Sequence, residues 1–303
     1  MAKRQSKKQA SQVEVNPPQE SLANNMDHPP GALGLRTHHG WTPGKGNILE
    51  AKTLNATPFR TLFEALKAMI TEANLVFSEN GLRMAAIDTK QNAFVHLSIP
   101  SSSFELYHCE ERLVLGVDIP VVQKIIKTAK LGDTLSFIVH EDSRDKLRIC
   151  IENAERLSKG VYPIPLRSLA EYKVRDALTF REAPPEIASA EFLGYCRNMV
   201  TLGSTRVEIQ YLGDELNFIA LDGNPPARYT IKLNRPAPKN DSEPEKTPEL
   251  ARGVFLLQFL QHVTKATALS QRVALYIQPT DPLLICEYSI GNLGTLKYAL
   301  KGK

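Results

Sequence analysis

Residues 57–88, TPFRTLFEALKAMITEANLVFSENGLRMAAID, change period once along their length, and that change decides the fold. Phe59, Leu62, Phe63, Leu66, Met69 and Ile70 recur at i, i+3, i+4, i+7, i+10 and i+11, which places them on one face of a helix. Pro58 suits the first turn, where a missing N–H loses no partner, so the spacing predicts a helix over 57–73. Beyond it, the runs Leu75 to Ser78 and Leu82 to Ile87 have strand character and flank Glu79-Asn80-Gly81, a tight-turn signal, so they read as a hairpin.

Working outward, the same order returns. Val121, Val122, Ile125, Ile126 and Ala129 predict a helix over 121–130, after Pro120. A third helix is predicted over 189–202, with Ser189 as cap, the stripe Phe192, Leu193, Cys196, Met199 and Val200, and a stop at Gly203. A fourth is predicted around 253–266, burying Phe255, Leu256, Phe259, Leu260 and Val263. Strand-like runs fill the rest, among them 93–99, 113–118, 135–140, 147–152, 206–212, 216–221, 229–233, 272–278, 283–290 and 295–300. Strand, helix and several hairpin strands recur about four times, twice before residue 160 and twice after 185, an internal repeat of architecture. The predicted class is α+β.

The predicted organisation is a basic, disordered tail over 1–47, a first domain over 48–160, a connector over 161–185 and a second domain over 186–303. Pro163, Pro165, Pro184 and Pro185 mark the connector; Pro236, Pro238, Pro244 and Pro248 mark an exposed loop over 233–249. The tail reads either as a localisation or nucleic-acid arm or as a solubilising extension.

Composition narrows the classes. The chain has 303 residues, 42% of them apolar, with Gly plus Pro at 37 and 23% charged, which excludes collagenous, coiled-coil and wholly disordered proteins. No apolar run reaches about 18 residues, and the N-terminus is polar, so neither a membrane span nor a secretory signal is expected. Cys109, Cys150, Cys196 and Cys286 lack metal-ligand spacing and read as buried thiols. His28, His38 and His39 have no companion ligand in register. The run 40–46, GWTPGKG, fails as a phosphate loop, because no Ser or Thr follows the Lys and no strand precedes it. No nucleophile elbow, metal motif or paired carboxylates appear, so neither catalytic residues nor a cofactor is expected.

Charge is placed more tellingly than its sum suggests. The net is +4, of which the tail holds six Lys/Arg against three Asp/Glu, leaving +1 for the other 256 residues. On the predicted helices, Arg60 and Lys67, then Lys124, Lys127 and Lys130, then Arg197, then Lys265 all project away from the apolar stripe, while Glu64 and Glu72 lie at other angles. Any one amphipathic helix carries such residues on its wet side. Four units sharing the habit point to one continuous basic surface. Such side chains hold phosphate oxygens without reading base identity, and the lack of aromatic interleaving favours duplex over single-stranded DNA.

These residues resemble a known family. Residues 57–88 look like the opening helix and hairpin of eukaryotic proliferating cell nuclear antigen, the replicative DNA sliding clamp. Residues 265–300, KATALSQRVALYIQPTDPLLICEYSIGNLGTLKYAL, resemble its final helix end and strands; VVQKIIKTAK (121–130) and SAEFLGYCRNM (189–199) resemble its second and third helices. The similarity runs from Ile48 to Leu300.

The resemblance implies a DNA-clamp fold, with two similar domains each of two β-α-β-β-β units, antiparallel sheets outside and four helices inside, closing as a homotrimeric ring. It implies a noncatalytic processivity factor that encircles duplex DNA and docks DNA polymerase and other DNA replication and repair enzymes, inside the cell, in the nucleus or at a cytoplasmic viral replication site. Arg60, Lys67, Lys124, Lys127, Arg197 and Lys265 match its DNA-facing residues; Lys130 rests on spacing alone, and Thr61, Gly194 and Gln258 fall where the family often has a basic residue. Ring closure is expected to pair 146–154 of the first domain with 215–222 of the second. The family binds partners through a peptide, Gln-x-x-aliphatic-x-x-aromatic-aromatic. Ile87, Phe94, Pro282 and Leu300 match its pocket, and Tyr162 to Leu178 matches its connector.

Several features depart from the family. Ala299 replaces a pocket tyrosine, the chain ends in Lys301-Gly302-Lys303, and the tail, the Pro-rich loop and the basic balance are unusual. They indicate a divergent clamp, such as one from a large DNA virus. The alternative reading is a clamp-shaped interaction scaffold, a checkpoint-type subunit or monomeric accessory factor; a DNA-modifying enzyme is the third.

Overall fold

A computed structural model describes residues 42–172, 184–212, 214–233, 251–278 and 282–302. The elements run β1 (Asn47–Thr53), α1 (Thr57–Leu66), β2 (Glu72–Ser78), β3 (Gly81–Ile87), β4 (Ala93–Pro100), β5 (Leu106–Cys109), β6 (Leu113–Asp118), α2 (Ile119–Ile126), β7 (Thr134–His140), β8 (Lys146–Asn153) and β9 (Ser158–Pro165). They continue with β10 (Glu186–Ala188), α3 (Ser189–Thr201), β11 (Arg206–Leu212), β12 (Glu215–Ala220), β13 (Arg228–Lys232), β14 (Ala251–Leu256), α4 (Leu257–Val263), β15 (Arg272–Ile277), β16 (Leu283–Ser289) and β17 (Thr295–Lys301). With β5 as an added strand, the order strand, helix, three strands occurs four times.

All pairings are antiparallel and build three sheets, ordered β5-β1-β7-β8-β9, β10-β15-β16-β17-β4-β3-β2-β6 and β13-β12-β11-β14. Units exchange their first strands: β1 of the first joins β7 of the second, and β6 of the second joins β2 of the first. The second half repeats this, with β10 on β15 and β14 on β11. Where β17 pairs with β4, from Thr295↔Ser98 to Leu300↔Ala93, the two halves share one sheet. Inward positions and helix stripes form one core, including Phe59, Phe77 and Phe137 in the first half and Phe192 and Phe218 in the second.

Helix positions hold, but their bounds move for physical reasons. Helix α1 stops at Leu66 rather than Ala73, because Ala68 and Met69 bond three residues back and Glu72 onward pairs with β6. Met69 and Ile70 stay buried beyond the helix end. Helix α2 starts earlier, capped by Asp118, whose Oδ1 accepts the Val121 N–H at 2.9 Å. Its buried face is therefore Ile119, Val122, Gln123 and Ile126, and Val121 is exposed. Ser189 is not a cap; it is the first helical residue, buried, and its N–H donates to the Gln271 carbonyl. Residues 253–256 belong to β14, so α4 is shorter than predicted and runs on as a 3-10 turn over Thr264–Leu269.

Two further expectations are corrected. Residues 161–165 are not crossover but part of β9, which pairs only with β8, so Pro163 and Pro165 lose no ladder bond on its free side. The strands expected to be edges, 146–154 and 215–222, correspond to β8 and β12, each paired on both sides; among the described residues β9 and β13 stand next to them as the edges, with β5 and β14 at the other ends of the same sheets. Residues 1–41 of the predicted tail, 173–183 of the connector with Leu178, loop residues 234–250 and Lys303 lie outside the described residues.

Gly81 closes the β2–β3 turn at φ +119°, where a side chain would also strike the backbone of Ile99.

Candidate functional site

The helices touch one another in a continuous layer. Helix α1 packs on α2, α3 on α4, and the 264–269 turn on both α1 and α3. Burying Phe59, Leu62, Phe63, Ala65 and Leu66 leaves Arg60, Glu64 and Lys67 on the outward side of α1. Lys124, Lys127 and Lys130 are exposed on and just after α2, Arg197 on α3 and Lys265 in the 264–269 turn. Among the described residues, none of these five forms an ion pair. The other two cations are held. Arg60 Nη1 donates to the Ala129 carbonyl at 3.1 Å, bridging α1 to the end of α2.

Lys67 corrects the reading of Glu64. Its Nζ lies 2.9 Å from Glu64 Oε2, and the same oxygen accepts from Gln123 Nε2 at 2.6 Å. Gln123 is buried, so Glu64 ties α1 to α2 and offsets one cation of the layer. His262 at the end of α4 is held below the ordinary histidine value, first by burial and then by Lys265 and Lys90.

On the opposite, outer face of the long sheet, one row of outward residues is apolar across five strands. Ile87 faces Phe94, Phe94 faces Ala299, Ala299 faces Ile285, and Ile285 faces Tyr276. Phe94, Tyr276 and Leu283 pack over Ile285 and Ala299 as a small cluster separate from the core. The next row is polar at its centre, His96, Lys297 and Glu287 between Ala85 and Ala274, with Lys297 and Glu287 paired at 3.0 Å. His96 is held below the ordinary histidine value, first by burial and then by Lys297 and Arg83.

The structure brings Ile87 and Phe94 together in this row, and Pro282 at the head of β16, beside Leu283. Leu300 does not join them: it points into the core and is 2% exposed, because Leu296, Tyr298 and Leu300 are the inward positions of β17. Tyr162 lies in β9, on another sheet. Sequence reasoning missed Tyr276 and Ile285. Their signal was available, since apolar residues occupy both parities of β15 and β16, which suits a strand covered on two faces.

The root of the connector is fastened to the outer wall. The Arg167 N–H donates to the Gly116 carbonyl, and its guanidinium pairs with Glu72 and with Asp118, the latter at 3.1 Å. A side chain at Gly116 would strike the Arg167 carbonyl, so glycine is required there. Asn74 Nδ2 donates to the carbonyls of Leu169 at 3.2 Å and Ala170 at 3.0 Å, and Glu171 pairs with Arg112. All four cysteines are free and buried; burial pushes Cys109 up to about 11 and Cys196 up to about 12.

Two domains of exchanged β-α-β-β-β units, with antiparallel sheets on one side and a helical layer on the other, define the α+β DNA-clamp fold. Residues 48–171 match the proliferating cell nuclear antigen N-terminal domain, and residues 183–303 match the proliferating cell nuclear antigen C-terminal domain. The chain belongs to the proliferating cell nuclear antigen family. It is 28% identical over 260 residues to proliferating cell nuclear antigen 2 of Drosophila melanogaster, an alignment spanning 84% of this chain and 98% of the relative. Members of this family are noncatalytic sliding clamps, intracellular and DNA-associated, with DNA enzymes as partners; the chain is a clamp and not an enzyme. No helix among the described residues is long and apolar enough to cross a membrane.

Proposed function

We propose that this chain is a processivity clamp that closes as a homotrimer around duplex DNA and holds a replicative or repair polymerase there. The observation that carries the reading is a matter of strand edges. The last strands of the first and fourth units, β4 and β17, pair with each other within the chain, whereas the last strands of the second and third, β9 and β13, each have one side unpaired among the described residues. The same antiparallel joint made between β9 of one copy and β13 of the next repeats the intrachain geometry and covers both edges. Repetition of that joint closes a ring rather than extending a filament if the rotation is that of a trimer.

In that ring Arg60, Lys67, Lys124, Lys127, Lys130, Arg197 and Lys265 line the hole and meet phosphates without reading sequence. The partly exposed Ile87, Phe94 and Tyr276 of that row, floored by buried Ala299 and Ile285 and bounded by Pro282, take the apolar anchors of a partner peptide. Tyr162 and Leu300 have other roles in this reading, in the joint strand and in the core. The domain division into 48–160, 161–185 and 186–303 then shifts at one point, with β9 complete at Pro165 before the connector begins.

The test is a solution mass with and without nicked circular DNA. A species near three times 33.7 kDa, retained on the circle and released when it is cut, supports the reading. A strictly monomeric chain at micromolar concentration overturns it and favours the accessory-scaffold alternative. Joint charge reversal at Lys67, Lys127 and Arg197 is expected to abolish retention while leaving folding intact.

A further inference from the structure

Among the described residues, the three most exposed large apolar side chains are Leu157 at 93%, Leu131 at 84% and Leu54 at 56%. They come from three different loops, before α1, after α2 and between β8 and β9, and one buried residue, Asp133, knits those loops together, the first through its backbone carbonyl and the third through its carboxylate. The Asp133 carbonyl accepts the Ala56 N–H at 3.2 Å, its Oδ2 accepts the Lys130 N–H at 2.8 Å, and its Oδ1 accepts Asn153 Nδ2 at 2.8 Å and pairs with Arg156. Leu54 is two residues from Ala56, Leu131 two from Asp133 and Leu157 next to Arg156, so all three Cα atoms fall within about 15 Å of that carboxylate.

Leu157 carries a second sign. Its φ is +50°, a backbone region that Gly and Asn enter more readily than leucine. An exposed leucine gains no packing inside the chain in return for that strain, so the side chain is better explained by a contact outside it. Charge then selects the partner. Lys127 and Lys130 are exposed and form no ion pair among the described residues, and Arg156 is 46% exposed at the same rim, against one exposed acid, Glu155. A second copy placed face to face would set these cations against one another. Duplex DNA presents mainly phosphate at its surface, with its thymine methyls inside the major groove, so it leaves the leucines uncovered, and the leucines come from three loop tips rather than from an amphipathic helix of the kind that lies in a bilayer surface.

We propose that this rim is a docking site for an acidic amphipathic segment of a partner protein, whose apolar side chains cover Leu54, Leu131 and Leu157 while its carboxylates meet Lys127 and Lys130. The site goes beyond the clamp reading and does not require the ring to close; it is distinct from the row at Ile87 and Phe94 but shares Lys127 and Lys130 with the proposed DNA-lining surface, so an acidic partner and DNA compete for those two cations.

The test uses the full chain with labelled leucine methyls, titrated with a synthetic peptide alternating Leu or Phe with Glu. Saturable shifts confined to the methyls of Leu54, Leu131 and Leu157 are expected. Affinity should fall about a hundredfold in the triple variant L54S/L131S/L157S. Leu157→Asn suits the local backbone, so it should keep or raise the melting temperature and still weaken binding. The proposal is overturned by absent shifts, by an equal response to a Lys version of the peptide, or by leucine-dependent binding to phosphatidylcholine–phosphatidylserine vesicles. It is also overturned if the triple variant changes the oligomer mass, which would assign the patch to contact between copies. Failure of the ring reading shows separately, as monomer mass in the unsubstituted chain.

Discussion

Replacing Glu64 by Gln is expected to tighten the hold on DNA while loosening the fold. The carboxylate sits 2.9 Å from Lys67 Nζ and accepts from buried Gln123 at 2.6 Å. An i, i+3 pair this exposed contributes about 0.3–0.5 kcal/mol, and exchanging a charged acceptor for a neutral one under Gln123 removes about another 1 kcal/mol. Together these lower the melting temperature by about 3 °C. On the DNA side the substitution removes one negative charge and frees Lys67 for a phosphate. One added contact steepens the log–log salt slope by about 0.9, which multiplies the loss of affinity between about 50 and 200 mM salt by about three- to fourfold. The assay is retention on nicked circular DNA across a salt series, with thermal unfolding measured on the same samples. A lowered melting temperature with an unchanged or shallower salt slope would show that Lys67 does not face phosphate, and the DNA-lining assignment of α1 would fall with it.

Val161→Asp puts a carboxylate on an exposed face of the edge strand β9, where Val161 is 48% exposed; association should weaken by at least about tenfold with folding unchanged, read by sedimentation, and an unaltered trimer would refute the proposed joint. Because His96 is held below its ordinary value, stability is full above about pH 6.5 and falls as the pH drops toward the folded-state value; His96→Gln should flatten that slope, and an identical pH profile would assign it elsewhere. Asn74→Ala leaves the Leu169 and Ala170 carbonyls without their donor, costs about 1–2 kcal/mol, and should speed amide exchange over 166–172; unchanged exchange would mean that Arg167 and Glu171 hold the root alone.

What was legible in the sequence follows from what burial imprints on spacing. The stripes of α1 and α3 are visible because each apolar residue reports one buried position, and the hairpin at Gly81 because only glycine tolerates that turn. Helix bounds were less visible. Asp118 and Pro120 together signal the start of α2, but the stripe beginning at Val121 is the louder pattern; it finds buried Val122, Ile126 and Ala129 while adding exposed Val121 and leaving out Ile119 and Gln123. Edge strands are set by neighbours, which a strand's own residues do not name; the prolines of β9 were the one local hint, and they read equally well as a connector. The cationic positions could be placed on helices from spacing, and Glu64 stands three residues from Lys67. Its role depends on Gln123 arriving from another helix, a contact that no local period encodes. Leu300 was misassigned by one residue of strand parity, which moves a side chain from the outer row to the core.

The seam between β4 and β17 is spanned by one continuous polypeptide and shares a core on its inner side, so parting it would tear the protein. A seam between separate copies, made at β9 and β13, has no such tether. In the proposed ring the joints are chemically alike but mechanically unequal. Circular DNA, which has no end to thread, would gain entry by unzipping backbone hydrogen bonds at a subunit boundary, leaving every domain intact and ready to reseal.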